Sequence, residues 1–566
     1  MPRPDACTAS EILAQLRRLV GRSHVLTSQR STKPFRTGFR HGQGSALAVV
    51  QPGNLSELWQ VTRSCIEAGR IVIPQAANTG LTGGSTPHGI DYDREVVIIS
   101  TRRITGVQLI NGGQEVICLA GTTLNQLERA LSVVGRDPHS VIGSSCIGAS
   151  VVGGVCNNSG GALIRRGPAY TEMALYAQAD ASGTLTLVNH LGIELGTEPE
   201  AMLERLERGQ YSATGADHPE HKCGSDRAYA SRVRDIDSSV PARFNADPRR
   251  LHEAAGCAGR VMVFAVRLDT FPKDEKTAVF YIGTNDPDDL ALLRQHALAT
   301  FGHLPVSAEY LHRDAFDVAE RYGKDTYYAI QMIDTDRLPG FFRAKAWLDS
   351  IGVPTDRILQ FIGGLLPRHV PVRLKDFRDR FEHHLIVRAA DGGIDEIRDY
   401  LRRTSVGATA GRDYFECTPN ESTKALLLRF VVAGAALRYA ALRPDLIEDI
   451  VALDIALPRN AQQWIDGLPK DLASQMHSAI YYGHYFCHVF HQDYLVRKGC
   501  NVAAVKQALL GHLGARGARY PAEHNVGHDY RAPPELEAFY RELDPTNSFN
   551  PGIGMTTKNA NWTHTE

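Results

Sequence analysis

The sequence predicts an α+β fold spread over more than one domain, and three observations carry that reading. The chain is 566 residues long, which suggests two to four domains and a large buried core. From about residue 45 to 190, short β-branched runs alternate with helical spacings and glycine-rich turns. From about 275 to 515, strands mix with longer helical segments.

The elements follow in order. "ALAVVQPGN" is a strand that ends at the turn Pro52, Gly53, Asn54. "LSELWQVTRSCIEAG" has helical spacing through Leu55, Leu58, Val61 and Ile66, with Gly69 as its stop. "RIVIP", "EVVIIST" and "EVICLAG" are short strands. "TTLNQLERALSVVG" is a second helix that Thr122 or Thr123 can cap. Residues 215–250 are polar and predict a surface loop or a crossing between domains. "VMVFAVRLDTFP" is a strong strand, and "STKALLLRFVVAGAALRYAAL" is a long helical segment.

Composition narrows the function. The net charge is −1, so nucleic acid is not an expected partner. No run of eighteen apolar residues predicts a membrane-crossing helix, and the first twenty residues lack the apolar core of a secretion signal. The ten cysteines form no CxxC pair, as expected of buried or idle thiols in a reducing compartment. Neither an iron–sulfur cluster motif, a CxxCH haem site nor a nicotinamide fingerprint is present.

"AANTGLTGGS" (Ala76 to Ser85) follows a strand directly. Successive glycines expose backbone N–H groups that can cradle an anion, although a lone loop of this kind also fits a plain surface turn. The stretch is neither a Walker loop nor the G-x-G-x-x-G fingerprint. A second stretch, "PHSVIGSSCIGASVVGGVCNNSGG", carries Gly143, Gly148, Gly153, Gly154, Gly160 and Gly161 with almost no charge. Two such segments in one module suggest a long, bent ligand, and a dinucleotide fits better than a mononucleotide.

These motifs, with "RRGPAYTEM", resemble the FAD-binding module of the vanillyl-alcohol oxidase and para-cresol methylhydroxylase (PCMH) superfamily. Within it they are similar to the quinone-dependent D-lactate dehydrogenases, peripheral respiratory flavoenzymes of bacteria. The likeness continues through "CAGRVMVFAVRLDTF", "EHHLIV", "YYGHYFCHVFHQDY", "YPAEHNVGH" and "DPTNSFNPGIG". The resemblance implies that Ala76, Ala77, Asn78, Thr79 and Gly80 hold the FAD diphosphate and that Gly84 and Ser85 close the loop. Gly143, Ser150 and Gly160 would line the flavin side, and Val263 would touch the cofactor. No histidine lies between Ala76 and Ser85, so the implied FAD is non-covalent. The implied plan is an FAD-binding domain at 1–268 with its PCMH core at about 42–213, made of two α+β subdomains. A discontinuous cap follows at 269–310 and 388–519, interrupted by a membrane-associated insert at 311–387. A C-terminal segment, 520–566, returns to the FAD domain.

"YYGHYFCHVFHQDY" holds His484, His488 and His491. On a helix, all three would share a face; on a strand, His484 and His491 would point to opposite sides. Taken alone they suit either metal ligation or a hydrogen-bonded core. The resemblance implies a divalent-metal site (Zn, Mn or Fe) of His484, His491 and Glu523, with His524 as the catalytic base. Arg429, inside the apolar "ALLLRFVVAGAAL", is hard to bury without a partner. It reads as a snorkelling or interface arginine, or, by the resemblance, as the cation for the substrate carboxylate.

Residues 337–380 carry nine Lys or Arg against four Asp or Glu, interleaved with aromatics. They predict either a solvated basic face or docking on an anionic membrane surface. The implied activity is oxidation of D-lactate to pyruvate, with electrons passed to ubiquinone or menaquinone at the cytoplasmic face of the bacterial inner membrane. The rival readings are the same chemistry on D-2-hydroxyglutarate or glycolate, an idle flavin-binding membrane scaffold, and a metal-dependent hydrolase.

Overall fold

Four short apolar runs pair first: β1 (Val25–Leu26), β2 (Ala48–Val50), β3 (Ile71–Gln75) and β4 (Val96–Ser100), in the order β1-β2-β4-β3. β2 and β3 run parallel to β4 because the helix Leu55–Glu67 carries the chain back across the sheet between them. Asn54 caps that helix, accepting the Glu57 N–H at 2.7 Å. In this computed structural model the described residues are 7–139, 147–212, 222–332, 352–405 and 411–563, with 340, 345 and 348.

The next strands are β5 (Val107–Ile110), β6 (Glu115–Leu119), β7 (Arg136–Asp137), β8 (Ala174–Ala179), β9 (Leu185–Asn189), β10 (Met262–Asp269) and β11 (Phe271–Pro272). They form an antiparallel sheet, β5-β6-β10-β8-β9, and a small ribbon of β7 with β11. Thr123, not Thr122, caps the helix Leu124–Val133; the Thr122 hydroxyl instead donates to the Gly106 carbonyl. Both sheets bury side chains in one core that includes Trp59, Val97, Ile117 and Phe264. Phe549 lies beside β3, with hydrogen bonds from Val72 N to Ser548 O and from Asn550 N to Val72 O, each 2.9 Å. The C-terminal stretch is thereby stitched onto the first sheet.

The remaining strands are β12 (Thr277–Thr284), β13 (Ser307–His312), β14 (His383–Ala390), β15 (Arg412–Glu416), β16 (Ile447–Ala456), β17 (Met476–His484) and β18 (Val489–Arg497). They build one antiparallel sheet in the order β15-β12-β14-β13-β17-β18-β16. β13 spans the 310/311 boundary and β14 spans the 387/388 boundary, because these two strands pair with each other. Between them, the described residues form the helices Arg313–Tyr322, Lys324–Met332, Thr355–Leu365 and Val372–Arg380. The basic stretch 337–380 is described from residue 352 onward; before that, apart from 340, 345 and 348, it lies outside the described residues. The apolar segment after residue 418 is two helices, Pro419–Phe430 and Val432–Leu442, bent by 48°. No single helix among the described residues is long and apolar enough to cross a membrane.

The polar stretch 222–250 corrects the expectation of a surface loop, because Arg243, Asn245, Asp247 and Arg250 are buried in it. Charge pairing makes that burial tolerable: Arg232 and Arg250 both bond Asp226, and Arg249 pairs with Asp247 at 2.7 Å.

A second buried pair fixes the register of β6 on β10. Arg267 is fully buried and donates to Glu115 through Nε at 2.8 Å and Nη2 at 2.6 Å. Glu115→Ala is expected to lower stability by about 3–5 kcal/mol, since it strands a buried guanidinium. Glu115→Gln should lose less, and urea unfolding followed by intrinsic fluorescence would measure both. A wild-type midpoint for Glu115→Ala would show that the pair does not hold the sheet.

Candidate functional site

The sequence left His484 and His491 either on one helix or on opposite sides of one strand. Both alternatives are corrected by a hairpin. β17 ends at His484, a short turn covers Tyr485–Cys487, and β18 returns with His491 opposite Tyr482. The two imidazoles come to the same side, with ring centroids 5.3 Å apart. His488 does not join them. It occupies the left-handed region (φ 52°) and turns inward, its Nδ1 3.0 Å from the Pro458 carbonyl.

Register across the sheet extends the row. Glu309 on β13 lies opposite His484, and Asp454 on β16 lies opposite His491. Cross-strand partners share a face, so four strands put Glu309, His484, Tyr482, His491 and Asp454 on one side. The apolar part of this face is covered by the helices Arg313–Tyr322, Pro419–Phe430 and Val432–Leu442. The middle one delivers Arg429, whose Nε lies 3.0 Å from Glu309 Oε2 and whose guanidinium sits 4.6 Å above the Tyr482 ring. Arg429 is 7% exposed, and neither its Nε nor its Nη2 has a hydrogen-bond partner among the described residues.

Glu523 enters from the C-terminal segment. Its Oε2 lies 3.3 Å from His484 Nε2 and 3.7 Å from His491 Nε2. One ligand atom from each of these three residues lies within 4.8 Å of the others. The far ring nitrogens are also engaged: His484 Nδ1 is 2.7 Å from Glu309, and His491 Nδ1 is 3.5 Å from Asp454. Glu309 bonds the outer nitrogen of His484 and fixes that ring with Nε2 turned inward, the arrangement that supports metal-binding histidines, while Asp454 lies beside the outer nitrogen of His491 without a hydrogen bond to it. The donor set therefore fits a divalent transition metal.

Charge is balanced tightly here. Burial alone would lower the His484 pKa, but the carboxylates of Glu309 and Glu523 override it and push it up to about 10. Burial pushes His491 well below the ordinary imidazole range. Burial also raises Asp454 to about 6, against the pull of His524. Glu523 stays well below the usual carboxylate range despite its burial, because His484 and Arg243 face it. Arg243 donates through Nη2 to Glu523 and, at 2.6 Å, to the Gly161 carbonyl. His524 is the more open neighbour: its side chain is 32% exposed, with Nε2 3.7 Å from Asp454.

The glycine-rich stretches meet this cluster from the other side. A Cβ on Gly160 would lie 2.5 Å from Glu523 Oε1, so only glycine permits the approach. Ser150 is buried and caps the helix Val151–Cys156, its hydroxyl accepting the Gly153 N–H at 3.1 Å. Val263 is buried on β10 in the core that holds Ala149, Val152 and Val155. Gly143 lies outside the described residues.

The first loop has the features of a diphosphate cradle. Asn78 takes a positive φ (56°), and its side-chain amide donates to the Thr37 carbonyl at 2.9 Å, pinning the turn. Ser85 closes onto it, Oγ to Asn78 Oδ1 at 3.2 Å. Among the described residues, no protein group accepts a hydrogen bond from the N–H groups of Ala76, Ala77, Asn78, Thr79 or Gly80. The space around a Cβ on Gly80 is open to 4 Å. Free donors facing open space fit FAD's diphosphate. The same loop is braced by the segment that carries Glu523 and His524. Thr82 Oγ1 donates to Asn525 O at 2.7 Å, His528 N to Thr82 O at 2.9 Å, and Asn550 Nδ2 to Gly84 O at 2.7 Å.

Sequence reasoning missed Glu309, Asp454 and Arg243. Each is far from the histidines along the chain, and a lone acidic residue on a strand gives no local signal. Arg243 could have been suspected only from its position among paired charges.

The family model described as FAD binding domain matches residues 46–186, and that described as D-lactate dehydrogenase, membrane binding, matches 279–562. The chain is 53% identical over 562 residues to the quinone-dependent D-lactate dehydrogenase of Escherichia coli (strain K12), covering 98% of each. It is 52% identical over 565 residues to the enzyme of that name from Haemophilus influenzae, covering 98% of this chain and 100% of the relative. A more distant likeness, 30% over 166 residues and 29% of each chain, links it to a mitochondrial D-2-hydroxyglutarate dehydrogenase of Bos taurus. Among solved structures, 4-ethylphenol oxidase from Gulosibacter chungangensis aligns with a TM-score of 0.55 at 12% identity, covering 97% of this chain and 98% of that one. p-Cresol methylhydroxylase aligns at 0.57 and 11%, covering 96% of each, so the PCMH-type fold is shared. With full-length relatives above half identity and both family models matched, the chain belongs to the quinone-dependent D-lactate dehydrogenases.

Proposed function

We propose that this chain oxidises D-lactate to pyruvate at the junction of its FAD domain and cap, and passes the electrons to a membrane quinone. The observation that carries the reading is the full-length identity to enzymes of that name, 53% and 52%. The geometry supports it residue by residue.

FAD held in the Ala76–Ser85 cradle supplies the hydride acceptor. Arg429 holds the substrate carboxylate. Glu309 lies 3.0 Å from its Nε without a hydrogen bond, so Nε and Nη2 are both buried donors without a hydrogen-bond partner among the described residues. A planar fork with this pair of donors open suits a single carboxylate and orients it. His524 takes the hydroxyl proton: its exposed ring reaches the substrate side, and Asp454 near Nε2 stabilises the charged imidazole after transfer. Nδ1, the nitrogen turned from Asp454, is the atom that receives the proton. His484, His491 and Glu523 would hold a divalent metal beside this base. Such an ion would lower the pKa of the hydroxyl and fix its orientation.

The association with the membrane is peripheral and involves the helical insert. The excess of basic residues over 337–380 supports docking on an anionic surface, with the cytoplasmic face of the inner membrane as the side the reading takes.

Three outcomes are expected. D-lactate should bleach the flavin of the purified protein rapidly in stopped flow, ahead of L-lactate, glycolate and D-2-hydroxyglutarate. If D-lactate leaves the flavin oxidised while another of these acids reduces it, the substrate assignment fails. His524→Ala should stay yellow while turnover falls by about 10²–10⁴-fold; full activity would remove the assigned base. Glu309→Gln should weaken metal retention about 10–100-fold in elemental analysis after graded chelation. A wild-type protein that carries no metal and gains nothing on metal addition would overturn the ligand assignment.

A further inference from the structure

The helix Thr355–Leu365 is amphipathic in the wrong sense for a water-facing element. Its polar side faces the protein. Asp356 Oδ1 lies 3.2 Å from Lys345 Nζ and 3.3 Å from Arg438 Nε. Gln360 Nε2 donates to the Arg321 carbonyl at 2.9 Å, and buried Gly363 packs on Lys324 and Asp325. The apolar side faces out: Ile358 is 46% exposed, Phe361 70%, Ile362 44% and Leu365 72%. These four recur at i, i+3, i+4 and i+7, a single stripe about 180° from the polar anchors on a helix of 3.6 residues per turn.

We propose that this stripe inserts into the acyl layer of the bilayer, as an apolar wedge beneath the headgroups. The proposal rests on the peripheral membrane association and adds the element that penetrates. Two observations select lipid as the occupant. Arg357 and Arg368 flank the stripe, exposed and without an acidic partner among the described residues, where they can meet headgroup phosphates. The helix also lies within the segment matched by the membrane-binding family model, residues 279–562. A second copy of the chain is the weaker occupant. The stripe offers on the order of 400 Å² of apolar surface, about half of the ~800 Å² that each partner of a stable dimer buries.

Basic residues alone give an attachment that salt removes, because exposed charges are screened within about 8 Å at physiological ionic strength. An inserted apolar stripe gives a component that salt does not remove. The test uses the full-length holoenzyme in flotation with phosphatidylcholine vesicles containing phosphatidylglycerol, at low and high potassium chloride. The wild type should stay bound at high salt, and Phe361→Ser/Leu365→Ser should lose at least ~50-fold in that salt-resistant binding. Both should reduce a soluble dye with D-lactate at the same rate, since neither side chain reaches the site. In a second measurement, Phe361→Trp should be quenched by lipids brominated high on the acyl chain. High-salt retention of the double variant equal to wild type, or an unquenched tryptophan, would overturn the wedge. So would a wild-type dimer that the double variant converts to monomer, which would assign the stripe to self-association. Complete release of the wild type by salt also overturns insertion, but leaves the electrostatic attachment standing. A wild type that floats with no vesicle at any salt would overturn the membrane association itself.

Discussion

A carboxylate buried as deeply as Glu523, 6% exposed, keeps its charge only if cations reach it from several sides. Two parts of the chain provide them. Arg243 arrives from the polar stretch after β9 and His484 from the cap hairpin, while Gly160 of the second glycine-rich stretch lets the carboxylate lie against its backbone. The spacing between FAD domain and cap is therefore set at one side chain. Glu309 and Asp454 extend the pattern outward in one row, Asp454, His491, Glu523, His484, Glu309, Arg429, in which charged His484 sits between the carboxylates of Glu523 and Glu309. Such a chain of mutually dependent charges is costly to break at any link, which gives the site its rigidity.

The same segment ties the cofactor loop to the chemistry. Glu523, His524 and Asn525 are consecutive, and Asn525 accepts from Thr82 while its side chain lies against Gly84. The backbone that sets the height of the proposed base thus also braces the loop proposed to cradle the diphosphate. A cofactor and a base that must lie within a hydride's reach of one substrate carbon benefit from being fixed by one strip of chain.

What could be read beforehand divides along physical lines. The two glycine-rich stretches were legible because a close backbone approach excludes side chains, and that exclusion is written locally. The strands β3, β4, β6 and β10 were legible as short β-branched runs, and the first helices by their spacing and caps. The hairpin was not. Its turn is made by Tyr485, Phe486 and Cys487, with His488 in the left-handed region, and carries none of the Asn-Gly or Asp-Gly chemistry that announces hairpins. The burial of residues 222–250 was hidden because a run of mixed charges reads as solvent-facing until its partners are known. Glu309 and Arg243 were invisible for a related reason: they pair with groups 175 and 280 residues away. Resemblance supplied the proposed metal ligands and base, but not the residues around them.

The bent helix pair after residue 418 joins the two ends of this enzyme's task. Arg429, at the end of the first helix, reaches Glu309 on the cap sheet. Arg438, on the second helix, is 6% exposed and pairs with Asp325 and Asp356 of the helical insert. Buried ion pairs of this kind resist separation because each break strands a charge in a low-dielectric interior. The insert is thereby tied through Arg438 to the second helix of the pair, whose first helix carries Arg429. A chain that must take hydride from a soluble acid and give electrons to a lipid-soluble acceptor gains from such a linkage. An orientation that the insert adopts at the bilayer has one short path, across the 48° bend of this pair, to the arginine proposed to hold the substrate.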